Sequence, residues 1–439
     1  MTETSGGSHP LARQLGLFGT TMAVMGGIIG AGIFINPYLV AQRVGTPGLI
    51  VAVWLAGGLI ALIGGFIYAE LAARLPVVGG QYAYLRSALH PAVAFMYGWV
   101  LLLVIQTGGM AAVAVTFARY FLELTQWPIA DSVIAATALA SLTAINCLGV
   151  RAGSRVQSAM TLTAVAAIGV LVVCSFGSSA AAPAAVAEVA PPNLLLAFGA
   201  AMTPVLFAYG GWQTSSFLAG EVRDAPRVLP RALIFGVIGV IVVYTSVNIA
   251  YLRTLGATGL AGTTTPASSV MKTLVGAHGA QFIAAGIAFS AFGFLAQSMM
   301  TAPRVYFAMA NDRVFFRSVA WVHPHSRVPV VAIALQGAWA ITIALTGTYA
   351  QVVNYVVAMD CIFFALTAAC LFVLRRRDGE AAFRVPGHPW TTLLFIAVEC
   401  FVVFSTFMHD PVRSFIGLAI AAAGLPAYWF WMARKGAVA

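Results

Sequence analysis

Apolar runs of about twenty residues or more follow one another along almost the whole chain, separated by short stretches that carry the polar and basic residues. A helix of roughly 20 residues is long enough to cross the hydrocarbon core of a bilayer. The pattern predicts twelve spanning helices, at residues 16–41, 48–73, 91–122, 129–148, 154–177, 194–220, 229–252, 279–310, 328–347, 350–374, 389–408 and 412–433. Residues 178–193, rich in Ala and Pro, predict a flexible external loop. Residues 254–278 are too long for a tight turn, and 267–275 predicts a short helix on the outer surface, with a gating lid as one use.

Two runs are interrupted by glycine at mid-span. The first holds Gly26-Gly27-Ile28-Ile29-Gly30-Ala31-Gly32-Ile33-Phe34, the second Phe207-Ala208-Tyr209-Gly210-Gly211-Trp212. Broken helix in the driest part of a bilayer is tolerated where the freed backbone groups line a cavity or meet a ligand. Two such interruptions in corresponding halves of a chain point to the binding site of a secondary transporter.

Composition narrows the class. With 61% hydrophobic and 8% charged residues in 439, the chain is a polytopic membrane protein. The first run is too long for a cleavable signal and lacks a small-residue cleavage site, so it reads as a retained span. A net charge of +10 would suit nucleic acid, but the basic residues sit in the connections between spans, which excludes that partner. With the amino terminus inside, the 23 Lys and Arg residues divide 18 to 5 in favour of the cytoplasmic side, placing both termini in the cytoplasm. Cys147, Cys174, Cys361, Cys370 and Cys400 all fall in apolar runs, with neither metal nor disulfide spacing.

Four stretches in order along the chain carry a resemblance: Gly27 to Phe34; Tyr68 to Pro76 with Gly79 to Leu85; Phe207 to Trp212; and Arg304 to Asp312 followed by His323-Pro324 and Pro329. On these the chain resembles the amino acid–polyamine–organocation permeases, and within them the bacterial L-type amino acid transporters. The resemblance implies an all-α polytopic membrane protein with a LeuT-type 5+5 inverted repeat and twelve transmembrane helices, the first and sixth unwound at mid-membrane. The implied divisions are a cytoplasmic amino terminus at 1–15, a first repeat at 16–177, the external loop at 178–193, a second repeat at 194–376, and accessory helices with a cytoplasmic carboxyl terminus at 377–439. It further implies a small-molecule amino acid as substrate and alternating access as mechanism.

An amino acid zwitterion in a dry site needs two kinds of partner. Its carboxylate wants N–H donors at a half-helix start, where the dipole is positive; by resemblance these are Gly30, Ala31 and Gly32. Its ammonium wants carbonyl oxygens, here from Ile28, Phe207, Ala208 and Gly210. Ile29 and Gly211 complete the set, and Phe207 takes the role of an aromatic gate. Many L-type relatives have serine at the position of Ala31, so only backbone serves the carboxylate here. Neither an acid nor an arginine lies near either break in the sequence, which points to neutral amino acids.

The larger departure is in the fifth span. Relatives commonly carry a lysine nine residues after the arginine of the Arg155-Val156-Gln157 motif, and that position is Ala164. Three readings stay open: sodium held by first-helix carbonyls and hydroxyls such as Ser290, another group in the lysine's place, or uncoupled facilitation or exchange. Ionisable groups at membrane depth are costly and usually functional. Asp360, near the middle of the tenth span, is a candidate proton carrier or gate fastener against a structural carboxyl; Glu399, in the eleventh, reads as structural. Glu70, at i,i+4 from Arg74, and Glu221 are candidates for an inner-gate ion pair with Arg304, against a surface salt bridge of little worth.

The expected function is transport of neutral L-amino acids by exchange or facilitated movement, with sodium- or proton-coupled uptake as the runner-up and no cofactor beyond such an ion. A channel would need a continuous polar pore, and a membrane enzyme a cluster of reactive side chains at one depth, which the sequence lacks. Residues 119–131 contain no cysteine, so no disulfide-linked subunit is expected. Compact loops fit a multi-pass protein of a bacterial inner membrane.

Overall fold

The computed structural model describes residues 16–75, 79–149, 154–178, 191–213, 222–324 and 328–436, and these form helices joined by short connections. The first apolar run is two helices, α1 (Leu17–Ile28) and α2 (Gly32–Val44), bent by 44° across the break. Next come α3 (Pro47–Arg74) and the short α4 (Gln81–Ala88). The third run is α5 (Pro91–Val100) and α6 (Gln106–Thr125), continuous through a π-helical turn at Leu101–Ile105. Then follow α7 (Asp131–Cys147), α8 (Ser154–Gly177), α9 (Leu194–Tyr209), α10 (Ala225–Ala261), α11 (Pro266–Val275), α12 (Ala277–Thr301) and α13 (Pro303–Asn311). The chain ends with α14 (Val330–Thr346), α15 (Tyr349–Arg377), α16 (Trp390–His409), α17 (Pro411–Ala422) and α18 (Gly424–Gly436).

Seven helices are long and apolar enough to cross a membrane, the bent α1–α2 pair makes an eighth, and four shorter apolar helices accompany them among the described residues. Large apolar side chains such as Phe235, Val242, Phe282 and Phe404 are exposed on outer faces, as lipid-facing positions require.

Local chemistry sets the ends. Proline opens α3, α5, α11, α13 and α17, where its missing N–H costs nothing. Asn193 caps α9 by accepting from the Leu196 amide at 3.2 Å, and Thr348 with Gln351 forms a capping box at the start of α15. The expected eighth span, 279–310, is not one rod: α12 stops at Thr301 and α13 restarts at Pro303, whose ring is incompatible with a helix interior. The expected sixth span, 194–220, has its helix end at Tyr209, ahead of Gly210 and Gly211, while 214–221 lie outside the described residues. The seventh runs past its expected end at 252, to Ala261, with a kink at Gly256 (φ 68°). The helix expected at 267–275 is α11, which packs on α12, α10 and α8.

Helix packing brings the two glycine-broken runs together. α2 lies along α9, α1 along α10, and α3 along both α9 and α10. α15 and α16 pack against each other and against α9.

Candidate functional site

The break after α1 is built from three short hydrogen bonds. The Ile29 amide donates to Met25 O at 2.7 Å, the Gly30 amide turns back to Ile28 O at 2.7 Å, and the Phe34 amide donates to Ala31 O at 3.1 Å as α2 begins. The Gly30 amide is therefore engaged within the break. The N–H groups of Ala31 and Gly32 lie at the start of α2, where a helix supplies no acceptor of its own, and they are the better placed of the three expected donors. In α9 the last turn closes with the Gly210 amide donating to Phe207 O at 3.2 Å, and Gly211 follows at φ 104°, donating to Gln213 Oε1 at 2.9 Å.

The breaks meet backbone to backbone. A Cβ on Gly32 would lie 2.6 Å from Ala208 Cα, and one on Gly211 would lie 2.0 Å from Gly27 O. No side chain fits at either contact, which is the physical reason for glycine there. Gly30 is less constrained: a Cβ there would meet only the Phe294 ring, at 3.3 Å.

Between the breaks lies a cavity of about 140 Å³. Of the nine residues expected to bind substrate, Ile28, Gly30, Ala31, Gly32, Phe207, Ala208, Gly210 and Gly211 line it, and Ile29, buried, does not. Gln106, Gly109 and Gln213, candidates to select the substrate side chain, are on the wall as well. Their neighbours divide: Thr107 is buried and donates to Leu102 O at 2.7 Å, Gly108 abuts Val356, and Thr214 and Ser215 lie outside the described residues.

The cavity wall corrects one expectation. The sequence places no acid near either break, yet Asp360 of α15 and Glu399 of α16 both line the cavity. Linear distance misleads here because α15 and α16 pack directly against α9. Glu399, read from sequence as structural, is 2% exposed and belongs to this wall.

Tyr244 of α10 is a second residue that sequence reasoning missed. Its hydroxyl lies 2.9 Å from Ile28 O and 3.1 Å from Ala208 O, two of the four carbonyls assigned to the substrate ammonium, and its one hydrogen is shared between them. The ring is fully buried against Trp54 and Tyr209. A hydroxyl carries one hydrogen and a carbonyl two lone pairs, so each oxygen keeps capacity for a further donor. Tyr244 thus fastens the two breaks at the level of the cavity. Only a tyrosine inside an apolar run marks it in the sequence. Tyr244→Phe removes this bridge without changing the packing, and we expect a two- to tenfold lower initial transport rate, consistent with loss of about 1 kcal/mol from one hydrogen bond; a rate equal to wild type would show that the bridge is idle.

Beyond the break, α2 is tied to three other helices. Asn36 Nδ2 donates to Pro204 O at 2.5 Å, the Tyr349 hydroxyl donates to Asn36 Oδ1 at 2.7 Å, and the Tyr120 hydroxyl donates to Phe34 O at 2.8 Å. Pro204 has no N–H for Ala200 O, the carbonyl one turn earlier, and Arg43 donates to that oxygen and to Asn354 Oδ1. α2 is therefore held against α6, α9 and α15 beyond the break.

Ala164, Ser290 and Glu70 do not line the cavity. Ala164 is fully buried in α8 and Ser290 is buried in α12. The contacts of Gly286 with Ala167 and of Gly293 with Met160 pack these helices antiparallel, placing the two residues at similar height. Glu70 is wholly buried and bound by Arg74, Arg375 of α15 and the Val385 amide, so its partner across the fold is Arg375. Glu221 and the side chain of Arg304 lie outside the described residues.

Comparison with known proteins decides the family. The amino acid permease family profile matches residues 15–430. The chain belongs to the amino acid permease family. It is 32% identical to the serine/threonine exchanger SteT of Bacillus subtilis, over 97% of this chain and 98% of that one. It is 29% identical to the large neutral amino acids transporter small subunit 2 of Oryctolagus cuniculus, over 97% of this chain and 82% of the relative. To the Asc-type amino acid transporter 1 of Mus musculus it is 26% identical, over 98% and 83%. This permease is a multi-pass membrane transporter, not an enzyme, and its two glycine-broken runs meet at one cavity.

Proposed function

We propose that this permease exchanges neutral L-amino acids across a bacterial inner membrane by alternating access. The observation that carries the reading is the meeting of two broken helices at one small cavity, with eight of the nine expected residues on its wall. A zwitterion's carboxylate would face the Ala31 and Gly32 amides at the start of α2, and its ammonium the Ile28 and Ala208 carbonyls. Phe207, partly exposed on the wall, would close over it. A cavity of about 140 Å³ lies below the range of roughly 300–1,000 Å³ typical of drug-sized ligands, which suits a small amino acid.

The finer architecture in this reading is a 5+5 inverted repeat, 16–177 and 194–376, followed by accessory helices. Twelve spans are supported by counting the seven long helices, the bent α1–α2 pair and the four shorter apolar helices. With both termini cytoplasmic, as the basic residues favour, the hydrogen bonds that fasten α2 lie on the outer side. SteT, named for serine/threonine exchange, and the large neutral amino acids transporter, named for neutral amino acids, support the substrate class. The fifth-span position Ala164 offers no positive charge, and exchange without an ion is the simplest outcome.

The test is uptake of radiolabelled serine, threonine, alanine and leucine into proteoliposomes. Uptake is expected to depend on unlabelled amino acid inside and to be indifferent to sodium. Uptake that needs a sodium or proton gradient and ignores internal amino acid would replace exchange with coupled accumulation.

A further inference from the structure

The Asp360–Glu399 pair has no role in backbone recognition of an amino acid. Both acids are on the wall of the same cavity that the broken helices line, one from α15 and one from α16. No Lys, Arg or His is among the described residues of that wall. Glu399 is 2% exposed, and its Oε2 has no hydrogen-bond partner. Cys361, Gln106, Gln213, Gln297 and Ser298 are among the other side chains with polar or thiol groups on that wall. A carboxyl oxygen buried without a hydrogen-bond partner is costly until something brings one. The backbone at the breaks meets the α-amino and α-carboxyl groups that every amino acid shares. What reaches a different part of the wall is the side chain.

We propose that Asp360 and Glu399 form a side-chain subsite that takes a hydrogen-bond donor on the substrate, a hydroxyl or a short-chain ammonium. The inference rests on the reading that the cavity binds an amino acid, and it adds a selection rule to that reading. Substrates of equal size are distinguished by the donor: threonine over valine, serine over alanine. A site built to meet a donor rejects the analogue that lacks it far more strongly than an apolar pocket distinguishes one methyl group. A buried polar group left without its partner corresponds to a preference of about 10- to 100-fold.

The experiment is competition in reconstituted vesicles, with threonine against valine, serine against alanine, and 2,3-diaminopropionate as the ammonium-bearing counterpart of serine. Wild type is expected to prefer threonine to valine at least about tenfold, and Asp360→Leu and Glu399→Leu, which remove the acceptor oxygens, to bring that ratio to within about threefold. Diaminopropionate outcompeting serine assigns the ammonium form of the donor; the reverse assigns the hydroxyl. A wild-type ratio near one overturns the proposal, and this arm needs no variant to fold. An unchanged ratio in both variants overturns it too, including the case where only their pH profile moves and the pair carries a proton instead. Exchange of some amino acid with a flat ratio leaves the transport reading intact and removes only the subsite. Absence of exchange with every amino acid removes both.

Discussion

Gly32→Val is expected to reduce transport at least 100-fold while the protein still inserts and is recovered from the membrane. The residue sits where the start of α2 passes the end of α9, and even a single Cβ would lie 2.6 Å from Ala208 Cα and 2.8 Å from its Cβ. The nearer of these atoms is backbone, so no rotamer change relieves the clash; one half-helix must move away from the other. Overpacking a tight contact costs roughly 1–3 kcal/mol in stability, which a large membrane protein can survive. The functional cost is larger because the displacement falls on Ala208, whose carbonyl is fastened to Tyr244, and on the amides proposed to meet the substrate carboxylate. A misplacement of about 1 Å in positioning groups suffices for a 100-fold effect. Gly30→Ala is the contrasting control. Its Cβ meets only the Phe294 ring at 3.3 Å, which gives by a few tenths of an ångström, so most of the activity should persist. Initial exchange rates normalised to reconstituted protein, with the melting temperature in detergent, separate loss of function from loss of fold. Equal activity in the two variants would mean that the close approach of α2 and α9 does not shape the site.

Glycine therefore made the cavity between the two broken runs legible in the sequence, though not which glycine makes the closest contact. The two interrupted runs stand out because four glycines cluster in the first and a Gly-Gly pair ends the second. That Gly32 and Gly211 make the backbone contacts, while Gly30 has slack, depends on which segment crosses which, and no periodicity records that. The helices were legible from the lengths of the apolar runs. Their interruptions were so only in part: Pro303 could have been read as the end of α12, but the surrounding run is apolar enough to hide it. Tertiary placement was the least legible. Asp360 and Glu399 are 39 positions apart and stand on one wall because α15 and α16 pack together against α9. Tyr244 is far from both breaks in sequence, yet bridges them. Glu70 with Arg74 is an i,i+4 pair visible in the sequence, whereas Arg375 is 305 positions away and no local signal couples them.

That last cluster governs the second large effect. Glu70→Ala is expected to destabilise the protein by about 3–5 kcal/mol, the range observed when one partner of a buried ion pair is removed. The Glu70 side chain is 0% exposed and Arg74 2%, while Arg375 is 23% exposed. Arg375 grips the carboxylate with both edges, Nε to Oε1 at 2.9 Å and a terminal nitrogen to Oε2 at 2.6 Å. Arg74 adds Nε to Oε1 at 2.9 Å, and the Val385 amide donates to Oε2 at 2.7 Å. One carboxylate thus joins α3, α15 and the segment before α16. Removing it leaves two guanidinium groups close together without their counter-charge, and one of them is out of reach of water. Arg375→Ala should cost less, because Arg74 and the Val385 amide still satisfy Glu70 and because Arg375 is the more exposed partner. Glu70→Gln should fall between, keeping the shape and an acceptor but losing the charge. Thermal melts of the three variants in detergent test the order Glu70→Ala, Glu70→Gln, Arg375→Ala from most to least destabilised. If the cluster is also a latch that opens during the transport cycle, Arg375→Ala should change the exchange rate by more than its melting temperature explains. An unchanged rate beside a lowered melting temperature would assign the cluster to stability alone.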